Sequence, residues 1–335
     1  MIEGHGDDIH KYDGKIIHNF SSNVYYKGCP PELLSDLATY ASHIQNYPSP
    51  AAEELNLAAS KKFNLSENHF LFTNGATEAF YLIAHLFTGK KAAIAAPTFS
   101  EYEDACKIHK VNYDLVDREK FQAADYGLVF ICNPNNPDGS VIPSEKLAKL
   151  IEGNPSTTFV IDEAYIEFTD GTQSLISWIA RLNNLITVRS LTKTFCIPGI
   201  RLGYIIASTN VINQLLRKKM PWSVNTLAIQ AGLMLFASYD DWLFDVGELL
   251  EETDTFIQEL SAINWLEIKP TNTSYFLAKL KKGSAAALKD FLAITHSILI
   301  RDASNFQRLE GEYIRLATQS PEANAALIKA LDQWK

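Results

Sequence analysis

Between residues 69 and 207, short runs of β-branched and aromatic residues alternate with longer segments of helical period. The runs His69–Phe72, Ala92–Ala96, Val111–Val116, Gly127–Cys132, Thr158–Asp162, Leu185–Arg189 and Gly203–Ala207 each predict a strand. Between the first two, Ala79, Phe80, Ile83, Ala84 and Phe87 recur as on one helix face. Tyr102–His109, Pro143–Glu152 and Gln173–Arg181 also suit helices, and Pro143–Ser144 marks a plausible start. This alternation predicts an α/β architecture, a mostly parallel sheet covered by helices on both faces.

After Ala207 the texture changes. Residues 209–262 are mainly helical in pattern, with a break at Pro221–Trp222. Strand patterns follow at Trp265–Ile268, Ser274–Leu280, His296–Ile300 and Tyr313–Thr318, with helices from Ala285 and over Pro321–Trp334. That mixture predicts a smaller α+β domain. The expected division is an N-terminal arm and part of the small domain at 1–45, a large domain at 46–220 and a small C-terminal domain at 221–335.

A chain of 335 residues, 47% hydrophobic and 21% charged, is long enough for two such domains. Its net charge of −9 disfavours nucleic acid and anionic membrane as partners, while a local basic pocket stays compatible with it. No apolar run reaches membrane-spanning length, and the opening residues lack a secretory pattern, so the expected location is the cytoplasm. Cys29, Cys106, Cys132 and Cys196 are scattered; Cys132 and Cys196 read as reduced core thiols. Cys106 and His109 have no second ligand pair, so no metal site is expected.

Four blocks carry chemistry. In Ser190-Leu-Thr-Lys193, directly after a strand, the lysine is flanked by hydroxyls and followed by Pro198-Gly199-Ile-Arg201-Leu-Gly203-Tyr204. An amine that condenses with an aldehyde must be partly unprotonated, which burial and nearby positive charge encourage. Ser190, Thr192 and Arg201 can surround a phosphate close to it, Arg201 by a bidentate pair. The turn Thr73-Asn-Gly75-Ala76-Thr77-Glu78 joins a strand to a helix, where backbone N–H groups attract anions; a simple helix cap is the alternative. Asn133-Pro-Asn135-Asn136-Pro137-Asp138-Gly139 reads as a tight turn at a strand end. In Phe159-Val-Ile-Asp162-Glu-Ala-Tyr165, a carboxylate ends a buried strand and needs a partner. Magnesium on Asp162-Glu163 is one option, but no phosphate-binding Gly-x-x-x-x-Gly-Lys loop accompanies it.

Together these blocks resemble fold-type I pyridoxal-phosphate enzymes of the aminotransferase class I/II family. The resemblance implies a Schiff base between Lys193 and the cofactor aldehyde, with Gly75, Ala76, Thr77, Ser190, Thr192 and Arg201 around the phosphate. It implies Asn136 on the pyridine hydroxyl, Asp162 on the ring nitrogen, Tyr165 on the ring oxygen and Phe99 stacked on the ring. Asp138 stands where the family usually has threonine. Tyr47 would reach the phosphate of a neighbouring subunit, which implies a homodimer. Arg315 matches the arginine that grips a substrate carboxylate.

Over nearly the whole chain the match is to threonine-phosphate decarboxylases of cobalamin biosynthesis, through His5-Gly6, Ile9-His10, Asn19-Phe-Ser-Ser-Asn23, Gly28-x-Pro30-Pro31, Ile300-Arg301-Asp302 and Tyr313-Ile-Arg315. Histidinol-phosphate aminotransferases stand next. A phosphorylated amino-acid substrate would then be held by Arg315 and Asn136, with His5, Asn23 and Arg301 toward its phosphate. Asp7-Asp8 depart from the expected Gly-Asn and bring negative charge toward that phosphate.

Overall fold

The computed structural model describes residues 6–12, 15–118 and 120–334. After a two-residue strand β1 (His18–Asn19), the chain forms β2 (Phe70–Asn74), β3 (Lys91–Ala96), β4 (Asn112–Asp117), β5 (Leu128–Cys132), β6 (Thr158–Asp162), β7 (Leu185–Ser190) and β8 (Leu202–Ala207). β2 to β8 build a seven-stranded sheet in the order β2-β8-β7-β6-β5-β3-β4. β8 runs antiparallel between β2 and β7, and the pairs among β3 to β7 are parallel.

The central strands are buried on both faces, so their sequences read as unbroken apolar runs whose alternate residues serve two cores. Val129, Ile131, Phe159, Ile161, Leu202 and Tyr204 face one core, with helices Glu53–Phe63 and Ser144–Glu152. Helix Thr226–Ala237, beyond residue 220, packs on that same core through Ala228, Ile229, Leu235 and Phe236. Leu128, Phe130, Val160, Ile186, Val188 and Ile205 face the other, with helices Gly75–Leu86, Glu101–Ile108 and Thr209–Leu216.

Strands β9 (Leu266–Ile268), β10 (Tyr275–Leu280), β12 (Arg301–Asp302) and β13 (Tyr313–Ala317) form a second, antiparallel sheet in the order β12-β13-β10-β9. Helices Val246–Leu260, Ala285–His296 and Pro321–Leu331 cover its apolar side around Phe256, Phe276, Leu288, Ile314 and Leu327. β1 pairs in parallel with β11 (Ile298–Leu299), and Phe20 buries its ring in this core. Beyond Phe20 the chain crosses to the large sheet, where Tyr25 N–H donates to Lys193 O at 3.1 Å.

Two expected elements differ. Gln173–Arg181 forms only a 3₁₀ turn at Leu175–Trp178, because Ser174 Oγ accepts from Ile176 N–H and donates to Glu163. Such local side-chain bonds compete with helix propagation. The run His296–Ile300 is no single strand: a helix extends to His296, and Ser297 turns at φ 59°. Of the remainder only Ile298–Leu299 is strand, as β11; β12 starts beyond the run, at Arg301, and belongs to a different sheet. Among the described residues no helix is long and apolar enough to cross a membrane.

Gly203, opposite both Thr73 and Ser190, makes the close strand contact under the site possible. A Cβ there would lie 2.5 Å from Ala76 N and 2.7 Å from Gly75 C, backbone atoms with little freedom to retreat. Gly203→Ala is therefore expected to cost about 1–3 kcal/mol by overpacking, read as a melting temperature lower by a few degrees. An unchanged melting curve would show that the packing is looser than described.

Candidate active site

The carboxyl ends of β2, β3, β5, β6 and β7 and the amino end of antiparallel β8 meet at one edge of the large sheet. In open α/β sheets that edge is where ligands settle. A cavity of about 240 Å³ opens there, lined by Lys193, Asp162, Tyr165, Asn136, Phe99 and Arg315 among others. Ser190, Thr192, Arg201, Ala76 and Thr77 also line it. Residues far apart in the chain thus converge because each follows the end of a neighbouring strand.

Lys193 lies on a one-turn helix, Leu191–Thr194, which Ser190 caps. Its Nζ donates to Ser22 O at 3.4 Å. Burial, then the charges of Arg315 and Arg201, lower its pKa to about 8. Ser190 Oγ and Thr192 Oγ1 lie 2.8 Å apart. Arg201, in the left-handed region at φ 60°, donates through Nη1 to Pro198 O at 3.1 Å. Gly75 has φ 75°, and a side chain there would collide with the Arg201 guanidinium. Gly75 therefore lets that guanidinium close on the amino end of helix Gly75–Leu86, a ready anion cradle.

At the opposite side Asp162 is 4% exposed. Its Oδ1 accepts from Ala164 N–H at 2.9 Å and its Oδ2 from the Tyr102 hydroxyl at 2.5 Å. Burial pushes its carboxyl up to about 6. Glu163, the next residue, faces away, toward Ser174, Leu175 N–H and Arg189. The two carboxylates do not converge on one ion, contrary to the magnesium option. Tyr165 is buried, which raises its phenol to about 12.

Asn136 Oδ1 accepts from Arg315 Nη1, and Arg315 Nη2 donates to Ser21 O. Arg315 Nε is buried and has no acceptor among the described residues. The Asp138 carboxylate, in place of threonine, holds the turn by accepting from Ser140 N–H, Ser140 Oγ and Asn135 Nδ2 at 2.9–3.0 Å. Asn136 is thus supported without a threonine.

Arg301 and Arg315 stand directly opposite each other on β12 and β13, on the same face of the sheet. Arg301 is buried and bonded to Asp302 O and Asn305 Oδ1. Desolvation, then Arg315's charge, lowers its pKa to about 10. Arg301 does not line the cavity, although its stem borders Gly6, which does. Asn23 is buried at φ 51°; among the described residues neither amide atom meets hydrogen-bond geometry, although Asn23 is a side-chain neighbour that acts on the Tyr165 phenol. His5 lies outside the described residues.

Tyr47 is 86% exposed and packs on Trp222, away from the cavity lining of its own chain. Two other expectations need amendment. Asp8 is paired with Lys289 and Lys11, whereas Asp7 lines the cavity and accepts from Asn19 Nδ2 at 2.6 Å. Cys132 is buried and Cys196 only half-buried, both with free thiols.

Sequence reasoning missed Gly6, Ser21, Ser22, Phe80, Cys132 and Tyr102 at the site. Tyr102 carried a signal: a tyrosine in the buried stripe Tyr102, Ala105, Cys106 must find a partner for its hydroxyl.

The aminotransferase class I and II family matches residues 15–331. The L-threonine-O-3-phosphate decarboxylase of Porphyromonas gingivalis is similar in structure, with a TM-score of 0.92 and 35% identity over 94% of this chain and 98% of that one. The histidinol-phosphate aminotransferase of Clostridium acetobutylicum has a TM-score of 0.84 and 28% identity, over 94% of this chain and 98% of its own. That of Sinorhizobium meliloti, solved with pyridoxal-5'-phosphate, shares the fold at a TM-score of 0.83 and 19% identity, covering 96% and 92%.

The residues fit that cofactor on their own terms. A buried carboxylate bonded only to neutral donors suits a protonated ring nitrogen, an anion cradle suits a phosphate, and a lysine with a lowered pKa suits an aldehyde. The chain belongs to the aminotransferase class I and II family, whose members work with pyridoxal phosphate.

Proposed function

We propose that the chain is a carboxy-lyase that converts L-threonine O-3-phosphate to (R)-1-amino-2-propanol O-2-phosphate. The observation that carries this reading is the opposed, buried pair Arg301 and Arg315. Two guanidiniums on one face of the sheet concentrate positive charge beside the cavity, with the Asp302 and Asp8 carboxylates near Arg301. A compact substrate with a carboxylate and a phosphate on adjacent carbons matches that concentration of positive charge. Arg315, with its free Nε, takes the carboxylate, and Arg301 with Asn23 takes the phosphate. His5 is a further candidate toward that phosphate.

Bound at this site, pyridoxal phosphate supplies an electron sink for the bond at the substrate's α-carbon that stands perpendicular to its ring. Gly75, Ala76, Thr77, Ser190, Thr192 and Arg201 would hold the phosphate of the cofactor, and Asn136, Asp162, Tyr165 and Phe99 would orient its ring. Arg315, fixed by Asn136 and Ser21, sets the direction of the substrate carboxylate and so selects the C–C bond over the C–H bond. Carbon dioxide leaves, and a proton takes its place at the α-carbon; Lys193 Nζ, within this cavity, moves it. Tyr47, exposed on this chain, would complete the site of a second copy in a homodimer. Transamination of histidinol phosphate or another amino acid is the competing reading, favoured by the likeness to histidinol-phosphate aminotransferases.

Incubation with threonine phosphate and no keto acid should release carbon dioxide and the amino alcohol phosphate in equal amounts. Turnover that depends on a keto acid, without carbon dioxide, would favour the aminotransferase. Arg301→Ala should raise KM for threonine phosphate about tenfold to a hundredfold, the worth of a charge-assisted bond, while KM for unphosphorylated threonine stays the same. Equal losses on both substrates would remove Arg301 from phosphate recognition.

The lowered pKa of Lys193 makes a separate prediction. Its amine is mostly protonated below about pH 8 and free above it. Capture of pyridoxal phosphate by the cofactor-free chain, followed by stopped-flow absorbance, should accelerate up to about pH 8 and then level. A rate still rising tenfold per unit at pH 10 would mean an ordinary lysine.

A further inference from the structure

Tyr102 belongs to none of the blocks that announce the site, yet it touches two of their products. It is fully buried on helix Glu101–Ile108, stacked on Phe130 with ring centroids 5.2 Å apart and planes 8° from parallel. Its edge meets Phe99 at 5.8 Å and Phe80 at 4.8 Å, both close to perpendicular. Its hydroxyl donates to Asp162 Oδ2. Burial and the nearby Asp162 charge push the phenol well above its ordinary value, so it remains a donor throughout the working pH range.

We propose that Tyr102 is a positioning residue that keeps Asp162 ionised and seats Phe99, so that one side chain prepares two contacts for the cofactor. This rests on the assignment of Asp162 and Phe99 to the cofactor ring made above. A carboxylate so deeply buried tends to take up a proton, and a neutral carboxyl would leave a ring nitrogen without its counter-charge. Donors to the charged form oppose that tendency. Asp162 has two strong ones, of which the Ala164 amide belongs to the backbone and the Tyr102 hydroxyl alone is a side chain that selection can vary.

The other titratable groups near this carboxylate are few. Cys132 Sγ on β5 donates a third, weaker bond to Oδ2 at 3.9 Å, its thiol pushed up by burial and by Asp162 itself, and it is unchanged in a Tyr102 variant. Tyr165 faces it from the same turn, and Val188 pairs with it on β7 and carries no charge. Lys193 and Arg315 share the cavity. A shift in Asp162 on removal of one hydroxyl is thus attributable to that hydroxyl.

Tyr102→Phe retains the ring and its stacking. In the full chain without cofactor, infrared difference spectra against Asp162→Asn read the carboxylate directly. The parent should titrate near pH 6 and the variant about one unit higher, the loss of one bond to a charged acceptor. Affinity for pyridoxal phosphate should then fall about fivefold to tenfold between pH 5 and 6, and the two proteins should converge above pH 8. Lys193 titrates in both proteins, so it cancels from their ratio.

A purely structural tyrosine would lower affinity by one factor at every pH, and that result, or coincident carboxylate titrations, would overturn the proposal. Should the parent bind no pyridoxal phosphate, the cofactor assignment falls, and the carboxylate titration alone decides whether Tyr102 governs Asp162.

Discussion

A negative charge buried beside neutral donors is the constraint around which this site is arranged. Asp162 accepts from a hydroxyl and a backbone amide, and burial alone drives it toward protonation. Across the same cavity stand Lys193, Arg201 and Arg315, all cations by nature. The cavity is therefore polarised, acidic at one end and basic at the other. Either end alone would be costly to keep dry. A ligand with a protonated ring nitrogen at one end and a phosphate at the other would satisfy both at once, and the amine whose pKa has been lowered would suit its aldehyde.

The sheet explains why these charges meet. Parallel strands release successive loops at one edge, so Asn136, Asp162 and Lys193 follow three adjacent strands. Antiparallel β8 delivers Arg201 to that same edge from the other direction; Gly75 leaves room for its guanidinium, and Gly203 lets the backbone of Gly75 and Ala76 lie close against β8. The second sheet supplies Arg315 and Arg301 from opposed positions. Between the two bodies runs the segment Phe20–Tyr25, anchored to one by a buried ring and to the other by the carbonyl of Lys193. Its own carbonyls at Ser21 and Ser22 accept from Arg315 and Lys193, so it closes the cavity from the N-terminal side.

The sequence was most legible where chemistry and strand ends coincide. Lys193, Asp162 and Asn136 each follow an apolar run, and periodicity alone placed those runs within a residue or two of the strands observed. Helical period located Gly75–Leu86 and Glu101–Ile108 as well. What escaped depends on contacts between distant segments. Nothing local to Tyr102 names Asp162 as its acceptor, 60 positions away. Ser21 and Ser22 act through backbone carbonyls, which no side-chain pattern betrays. The 3₁₀ turn at Leu175–Trp178 replaced an expected helix because Ser174 found Glu163, and the run His296–Ile300 was cut to Ile298–Leu299 because the preceding helix reaches His296 and Ser297 turns the chain. Asp138 looked like a departure but proved able to hold its turn by itself.

The most direct measurement is reduction of the loaded protein with borohydride, followed by peptide mapping. One stable pyridoxyl adduct is expected, on Lys193, with the corresponding peptide unlabelled in Lys193→Ala. A protein that stays colourless with the coenzyme, or an adduct spread over surface lysines with Lys193 spared, would contradict it.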